Sequence, residues 1–214
     1  MSVKLPHVAV LLLLVVFWVV LVAGFTTTLF ESPALHLTNV GAARVHSISL
    51  LGVTMPVNLT LPGASVDVMI KQDMFHVYFN LDLLLPIGLG EEHVAMKYNL
   101  DDIPCKEYSS NYKVGQVFSL LAIFSCLFTI LFAVGVMFTH VMRPFLWLTA
   151  WTTAIFTSVA TSVLLKTLCD GFCLDNPSQR IPEAVSFAVP SGGFALYIMA
   201  SLAFGSIAVI TACA

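Results

Sequence analysis

The residues able to do chemistry are few, and most fall in one stretch. Glu91-Glu92-His93 and the pair Asp101-Asp102 bring carboxylates and an imidazole close together along the chain, as an acid–base or metal site would. Carboxylates gathered in a loop more often serve solvation, and these are read so. His36, His46, His76 and His93 lie in the same region, but no two have the spacing of a ligand motif. There is no G-x-S-x-G, no H-E-x-x-H and no phosphate-binding loop. The reading is therefore non-enzymatic, with no catalytic, cofactor or metal residues. Two covalent chemistries remain. Asn58-Leu59-Thr60 is a glycosylation acceptor, whereas Asn176 is followed by Pro177. Cys105, Cys126, Cys169, Cys173 and Cys213 match no zinc or haem spacing and leave disulfides to consider.

These residues are carried by an apolar chain. Of its 214 residues 58% are hydrophobic and 10% charged, against about 25% charged in soluble domains. An integral membrane protein follows. The net charge of -3 and the lack of a basic run argue against nucleic acid as a partner and leave membrane lipids as the obvious one.

Four segments are candidate spans. The first forms, with the N-terminus, residues 1–29, and its apolar part begins at about Val8. It is long for the ~7–15-residue core of a signal peptide and is read as a retained helix, with cleavage after Val22-Ala23-Gly24 the rival. The second covers 114–139 and the third 145–165. The link 140–144 makes them an antiparallel hairpin with Pro144 in the first turn of the third. The fourth, 184–214, contains Pro190-Ser191-Gly192-Gly193, which marks a kink or the true start of the helix. No segment carries a charge near its middle, which argues against an ion pump or ion-coupled transporter. On the third, Thr149, Thr153, Thr157 and Thr161 recur every four residues. Ala150, Ala154, Ser158 and Ser162 do the same one position around, giving a face suited to close helix packing.

An even number of spans puts both termini and Arg143 on one side, read as cytosolic. Residues 30–113 and the short loop 166–183 then lie outside, where Asn58 can receive a glycan. The large loop has a strand signal. From Val53, the residues Val, Met, Val and Leu alternate with Thr, Pro, Asn and Thr, which puts Asn58 on a wet face. In Met74–Leu83, Phe75, Val77, Phe79, Leu81 and Leu83 share one face, and Val66–Ile70 offers a short strand between the two runs. A small antiparallel sheet, apolar on one face, is expected. Cys105, Cys169 and Cys173 are all exterior, so one disulfide with one thiol left over is expected in an oxidising compartment. Cys105 with either loop cysteine would staple the two exterior pieces and is preferred; Cys169 with Cys173 would close only a tight turn. Cys126 is a packing residue, and Cys213 is a palmitoylation candidate near the cytosolic face.

Several short stretches bear a further likeness. The start Met1-Ser2-Val3-Lys4-Leu5-Pro6, the run Gly115-Gln116-Val117-Phe118-Ser119, Ser186-Phe187 followed by Gly193-Phe194-Ala195-Leu196, and Cys105 after Ile103-Pro104 resemble the amastins, four-span surface glycoproteins of kinetoplastids. In the stretch from Ser47 to Val57, Ile48, Ser49, Leu50 and Gly52 fit that family's signature. Ser47 and Val57 stand in place of its two cysteines, Leu51 in place of its aromatic residue, and Thr54 in place of a basic or amide residue. The resemblance implies a divergent member with a claudin-like layout: a four-transmembrane-helix bundle with a small antiparallel β extracellular domain, membrane α-helical in class. It implies a cell-surface place more than a mechanism. The expected function is lateral helix packing and exterior contact with a protein partner or a second copy. An accessory subunit of a larger membrane assembly and a lipid-handling or transport protein are the alternatives.

Overall fold

The computed structural model describes residues 5–31, 35–38, 45–50, 53–59, 65–84, 91–170, 172–173, 175 and 189–213. Within these, the side chains of residues 5–7, 35–38, 45–50, 53–59, 66, 83–84, 91–92, 168, 189–190 and 208–213 lie outside the description. The chain forms two compact units: residues 1–27, 113–165 and 192–214 in one, residues 28–112 and 166–191 in the other.

The first unit is helical. Helix α1 spans Leu5–Thr26, α2 Lys106–Phe138, α3 Arg143–Cys169 and α4 Gly192–Cys213. The first residues of α2 and the last of α3 belong to the other unit. Three of the helices, α1 to α3, are long and apolar enough to cross a membrane. In α4, residues 192–207, those whose side chains are described, form a shorter apolar helix. Leu12, Leu131, Phe138 and Leu202 are each more than 60% exposed, an apolar exterior of the kind that lipid covers.

Helix boundaries differ from the expected ones in instructive ways. Helix α2 begins at Lys106, not residue 114, because Lys106–Lys113 is polar but free of helix breakers. Helix α3 starts at Arg143 with Pro144 in its first turn, where the missing N–H costs nothing. Helix α4 begins at Gly192, not residue 184, so of the two readings of Pro190–Gly193 the helix start is the one found. Packing is tight at a few backbone positions. A Cβ on Gly24 of α1 would meet the Tyr197 ring at 3.0 Å and the Gly193 carbonyl at 3.2 Å. Phe17 of α1 stands edge-on to Phe204 of α4, and the Phe132 and Phe145 rings stack across the α2–α3 connection.

The second unit is built on a sheet. Its strands are β1 (Phe30–Glu31), β2 (Leu35–Thr38), β5 (Ser65–Gln72), β6 (His76–Leu84), β7 (Glu91–Asn99) and β8 (Val189–Pro190). They run β7-β6-β5-β1-β8, with β2 also paired to β5, and every described pairing is antiparallel. Alternation sorts the faces. Val68, Val77, Phe79 and Leu81 are buried, and Phe79 meets Tyr98 edge-on at 5.6 Å. Asp82, His93, Ala95 and Lys97 are exposed on the other face. The expected inward row of β6 loses one member: Phe75 lies in the turn before the strand and is 45% exposed.

Strands β3 (Val45–Leu50) and β4 (Val53–Leu59) form a separate two-stranded sheet. The alternating run expected from Val53 is β4, and β3 is its partner, with Leu50 opposite Val53. Further along, Val45 faces Leu59 and Ser47 faces Pro56, so His46 stands opposite both Val57 and Asn58. Such a bulge interrupts the period of two, and alternation then no longer assigns Asn58 to a face.

Candidate functional site

The sheet-bearing unit gathers most of the polar side chains, and they fall into three arrangements. The first closes the β5–β6 connection. Asp73 Oδ1 accepts the backbone N–H of Phe75 at 2.7 Å and that of His76 at 2.6 Å. Asp73 Oδ2 accepts the Tyr78 hydroxyl at 2.9 Å, with His76 Nδ1 at 3.4 Å. Burial by itself pushes the Asp73 carboxyl up, but these hydrogen bonds outweigh it and hold the group below its ordinary value. Burial and the Asp73 carboxylate together push the Tyr78 phenol up, which keeps it a donor. Asp followed by a tight bend is a familiar turn signal, and the strand expected from Met74 starts only at His76, with Met74 and Phe75 in the bend.

The second arrangement lies beneath the sheet. Tyr108, in the first turns of α2, donates to the Gln72 side-chain oxygen at 2.7 Å, and Tyr112 donates to the Asp73 carbonyl at 3.3 Å. Gln72 is only 6% exposed, and its amide nitrogen has no hydrogen-bond partner. Phe172 packs edge-on to Tyr108 at 5.4 Å. Beside it, Cys105 and Cys173 form a disulfide across 68 residues of sequence. This is one of the two pairings expected to join the large loop to the short one, and Cys169 is a free, exposed thiol. Cys173 holds a positive φ of 54°, a left-handed conformation that costs a non-glycine residue about 1–2 kcal/mol.

The third is the exposed face of the main sheet, and here an expectation is corrected. Glu91-Glu92-His93 is not loop: it opens strand β7. His93 is paired through Nδ1 with Asp82 on β6, directly opposite in register. Asp82 in turn faces Asp67 on β5, and Asp67 faces His36 on β2. Four residues far apart in sequence thus occupy one line across the sheet. Among the described residues no group of three or more such side chains is placed to hold a metal ion. Two lines along, Glu31 pairs with Lys71 at 3.0 Å, and Lys97 lies 5.4 Å above the Tyr78 ring. Asp101 and Asp102 lie in the helical turn after β7, where Asp102 accepts from the Asn99 side chain at 3.0 Å.

In the helical unit the threonine row faces inward. Thr153 and Thr157 are fully buried, and Thr149 and Thr161 are partly so. Thr153 donates to Ser125 of α2 at 2.9 Å, and Ser125 also meets Thr152 at 3.0 Å. Thr129 reaches Thr153 at 3.4 Å. Other hydroxyls of the row stay within α3: Thr157 donates to the Thr153 carbonyl and Thr161 to the Thr157 carbonyl, each one turn back. The neighbouring row divides: Ala150 and Ala154 are buried, whereas Ser158 and Ser162 are exposed and Ser158 meets Ser201 of α4 at 3.2 Å. Sequence spacing found the rows but missed Ser125 and Thr129, whose spacing of four on α2 was the available signal. Cys126 is buried in α2. Asn58 belongs to β4 and Cys213 ends α4, and the side chains of both lie outside the described residues.

No protein-family model matches the chain, and no curated protein matches it.

Proposed function

We propose that this is a non-enzymatic, amastin-like surface protein with four membrane spans in a claudin-like layout. It acts through lateral helix packing and through contacts made by its sheet outside the cell. The observation that carries the reading is the Cys105–Cys173 disulfide in a unit distinct from three membrane-length apolar helices. Stable disulfides belong to oxidising compartments, so the sheet faces outward and the 140–144 link and both termini face the cytosol. Asn58 lies in the same unit and carries a glycan there. The hydroxyl contacts between α2 and α3 fit helix association within a bundle.

The test combines topology with native mass. In intact cells an impermeant thiol reagent labels Cys169, and glycosidase shifts the wild-type chain but not Asn58→Gln. Labelling of Cys169 only after permeabilisation overturns the orientation. Mild extraction then reads the partner: a single large species with one fixed protein supports an accessory-subunit role, and a monomer with a defined lipid supports lipid handling. A species built of this chain alone supports the surface-contact reading.

A further inference from the structure

One side chain of the sheet-bearing unit is exposed in the manner of a membrane helix residue. Phe75 lies in the bend between β5 and β6 and is 45% exposed. Among the described residues, every other exposed large apolar side chain, from Val8 to Leu202, belongs to the helical unit. The bend is also where the sheet is tied along the chain to three helices. Leu29 donates its backbone N–H to the Gln72 carbonyl at 2.8 Å, and α1 ends just before it at Thr26. Ser191 donates to the Leu29 carbonyl at 2.9 Å, and α4 begins at the next residue. Tyr112 donates to the Asp73 carbonyl at 3.3 Å, and the apolar run of α2 begins soon after it at Val114.

Chain length then sets the height of Phe75 above the bilayer. The apolar part of α1, Val8–Thr26, has 19 residues, and its helix of about 28 Å matches the ~30 Å hydrocarbon core. Thr26 therefore stands at the edge of the hydrocarbon, and the extended chain from it to Leu29 reaches at most about 11 Å. The Gln72 carbonyl, bound to Leu29, is that near. On the other side of the bend, Tyr112 and Val114 are separated by a helical rise of only ~3 Å. Phe75 thus belongs to the zone of headgroups and first acyl carbons, where amphipathic elements bury apolar side chains ~5–10 Å deep. The backbone of the bend suits a medium poor in water. The Phe75 N–H donates to Asp73 Oδ1 at 2.7 Å, and its carbonyl accepts the Leu100 N–H at 3.1 Å. The His76 N–H donates to the same oxygen at 2.6 Å, and its carbonyl accepts the Asp73 N–H at 3.0 Å. Neither residue brings an unpaired backbone group toward lipid, which would cost as much as a lost hydrogen bond. Lipid is the occupant because lipid is what stands at that height. We infer that Phe75 is a lipid-contacting anchor that docks the sheet-bearing unit on the bilayer, its partner the headgroup–acyl boundary of a phospholipid leaflet. The inference goes beyond the surface-contact reading and needs only the spans α1 and α2, not the side that the sheet faces.

The experiment uses the full-length chain reconstituted in phosphatidylcholine vesicles. Phe75 is replaced by the photoreactive analogue p-benzoylphenylalanine, and Ala95 is replaced by the same residue as a control. Ala95 is exposed on β7, and Asn99 of that strand pairs with His76, so Ala95 lies about 13 Å along the strand from the bend. Irradiation should add the mass of one phospholipid at position 75 and none at position 95. A cross-link from position 75 to a second copy or to another segment of the chain, equal lipid adducts at both positions, or no adduct at either, overturns the lipid contact. A gentler variant, Phe75→Trp, covers the case in which the bulky analogue disturbs folding, and formation of the Cys105–Cys173 disulfide checks both. The emission that Phe75→Trp adds to that of the three native tryptophans should be quenched by phosphatidylcholine brominated near the head of its acyl chains and spared by aqueous iodide. The reverse pattern overturns the anchor. Both readouts are blind to orientation. Failure of Cys169 labelling from outside therefore sinks the exterior placement alone, and failure of the lipid adduct sinks the anchor alone.

Discussion

Asp73 organises more of the sheet than any other single side chain described, because one carboxylate serves two amides, a phenol and an imidazole. Its pKa is lowered in the folded chain, so its contribution is fully present above the unfolded carboxylate value of about 3.9. The contribution is lost as pH falls through the lower folded value. Asp73→Asn should cost ~1–3 kcal/mol near neutrality and flatten the loss of stability below about pH 4. Acid titration followed by tyrosine near-UV dichroism measures both. Tyr108 and Gln72 test a different principle. Tyr108→Phe leaves the buried Gln72 side chain without its phenol and should cost ~1–3 kcal/mol. Adding Gln72→Leu removes the stranded amide, so the double variant should unfold at lower cost than Tyr108→Phe alone. At this scale the sequence was hardest to read. Asp73, Gln72 and Tyr108 are 36 residues apart at most, and nothing in their spacing signals that β5 and the start of α2 meet.

Elements were more legible where one periodicity ruled. Alternation in Val77, Phe79 and Leu81 gave β6 its buried face, and long apolar runs gave α1, α2 and α3. Strand β7 was missed although Val94, Met96 and Tyr98 alternate with Ala95, Lys97 and Asn99. Its acidic start, Glu91-Glu92, looks like loop, and it becomes a strand because β6 offers it a complete register partner. Likewise the alternating run from Val53 was legible as β4, but its antiparallel partner β3, with Leu50 opposite Val53, was not. Gly52 was the available clue. The α1–α4 contact turns on Gly24, which no pattern marked. Gly24→Ala should push a methyl group into the Tyr197 ring and the Gly193 backbone and destabilise by ~1–3 kcal/mol. A lowered melting temperature in detergent, with the sheet-bearing unit still folded, is the expected result.

For the whole molecule, composition gave the membrane class and left the covalent joint open. Two pairings of Cys105 would have stapled the large loop to the short one, and chain spacing could not choose between Cys169 and Cys173. The choice follows from where the chain leaves α3: Cys169 is its last residue and exposed, whereas Cys173 lies beyond it, beside buried Phe172. Closing a loop of that separation is worth roughly 4 kcal/mol by chain entropy. Cys105→Ser should therefore lower stability by ~2–5 kcal/mol, whereas Cys169→Ser should leave the melting temperature nearly unchanged. Thermal unfolding of the two variants side by side measures the difference.

The same bond makes residues 105–173 a covalent ring that contains the whole of α2 and α3. A force applied between the two ends of the polypeptide would run through the sulfur atoms and bypass that ring. Drawn out by its termini, the oxidised chain should fall short of the reduced one by roughly 230 Å, the extended length of the segment in the ring. Load on the protein would then be borne by the sheet, α1 and α4, with the α2–α3 hairpin out of the path of tension.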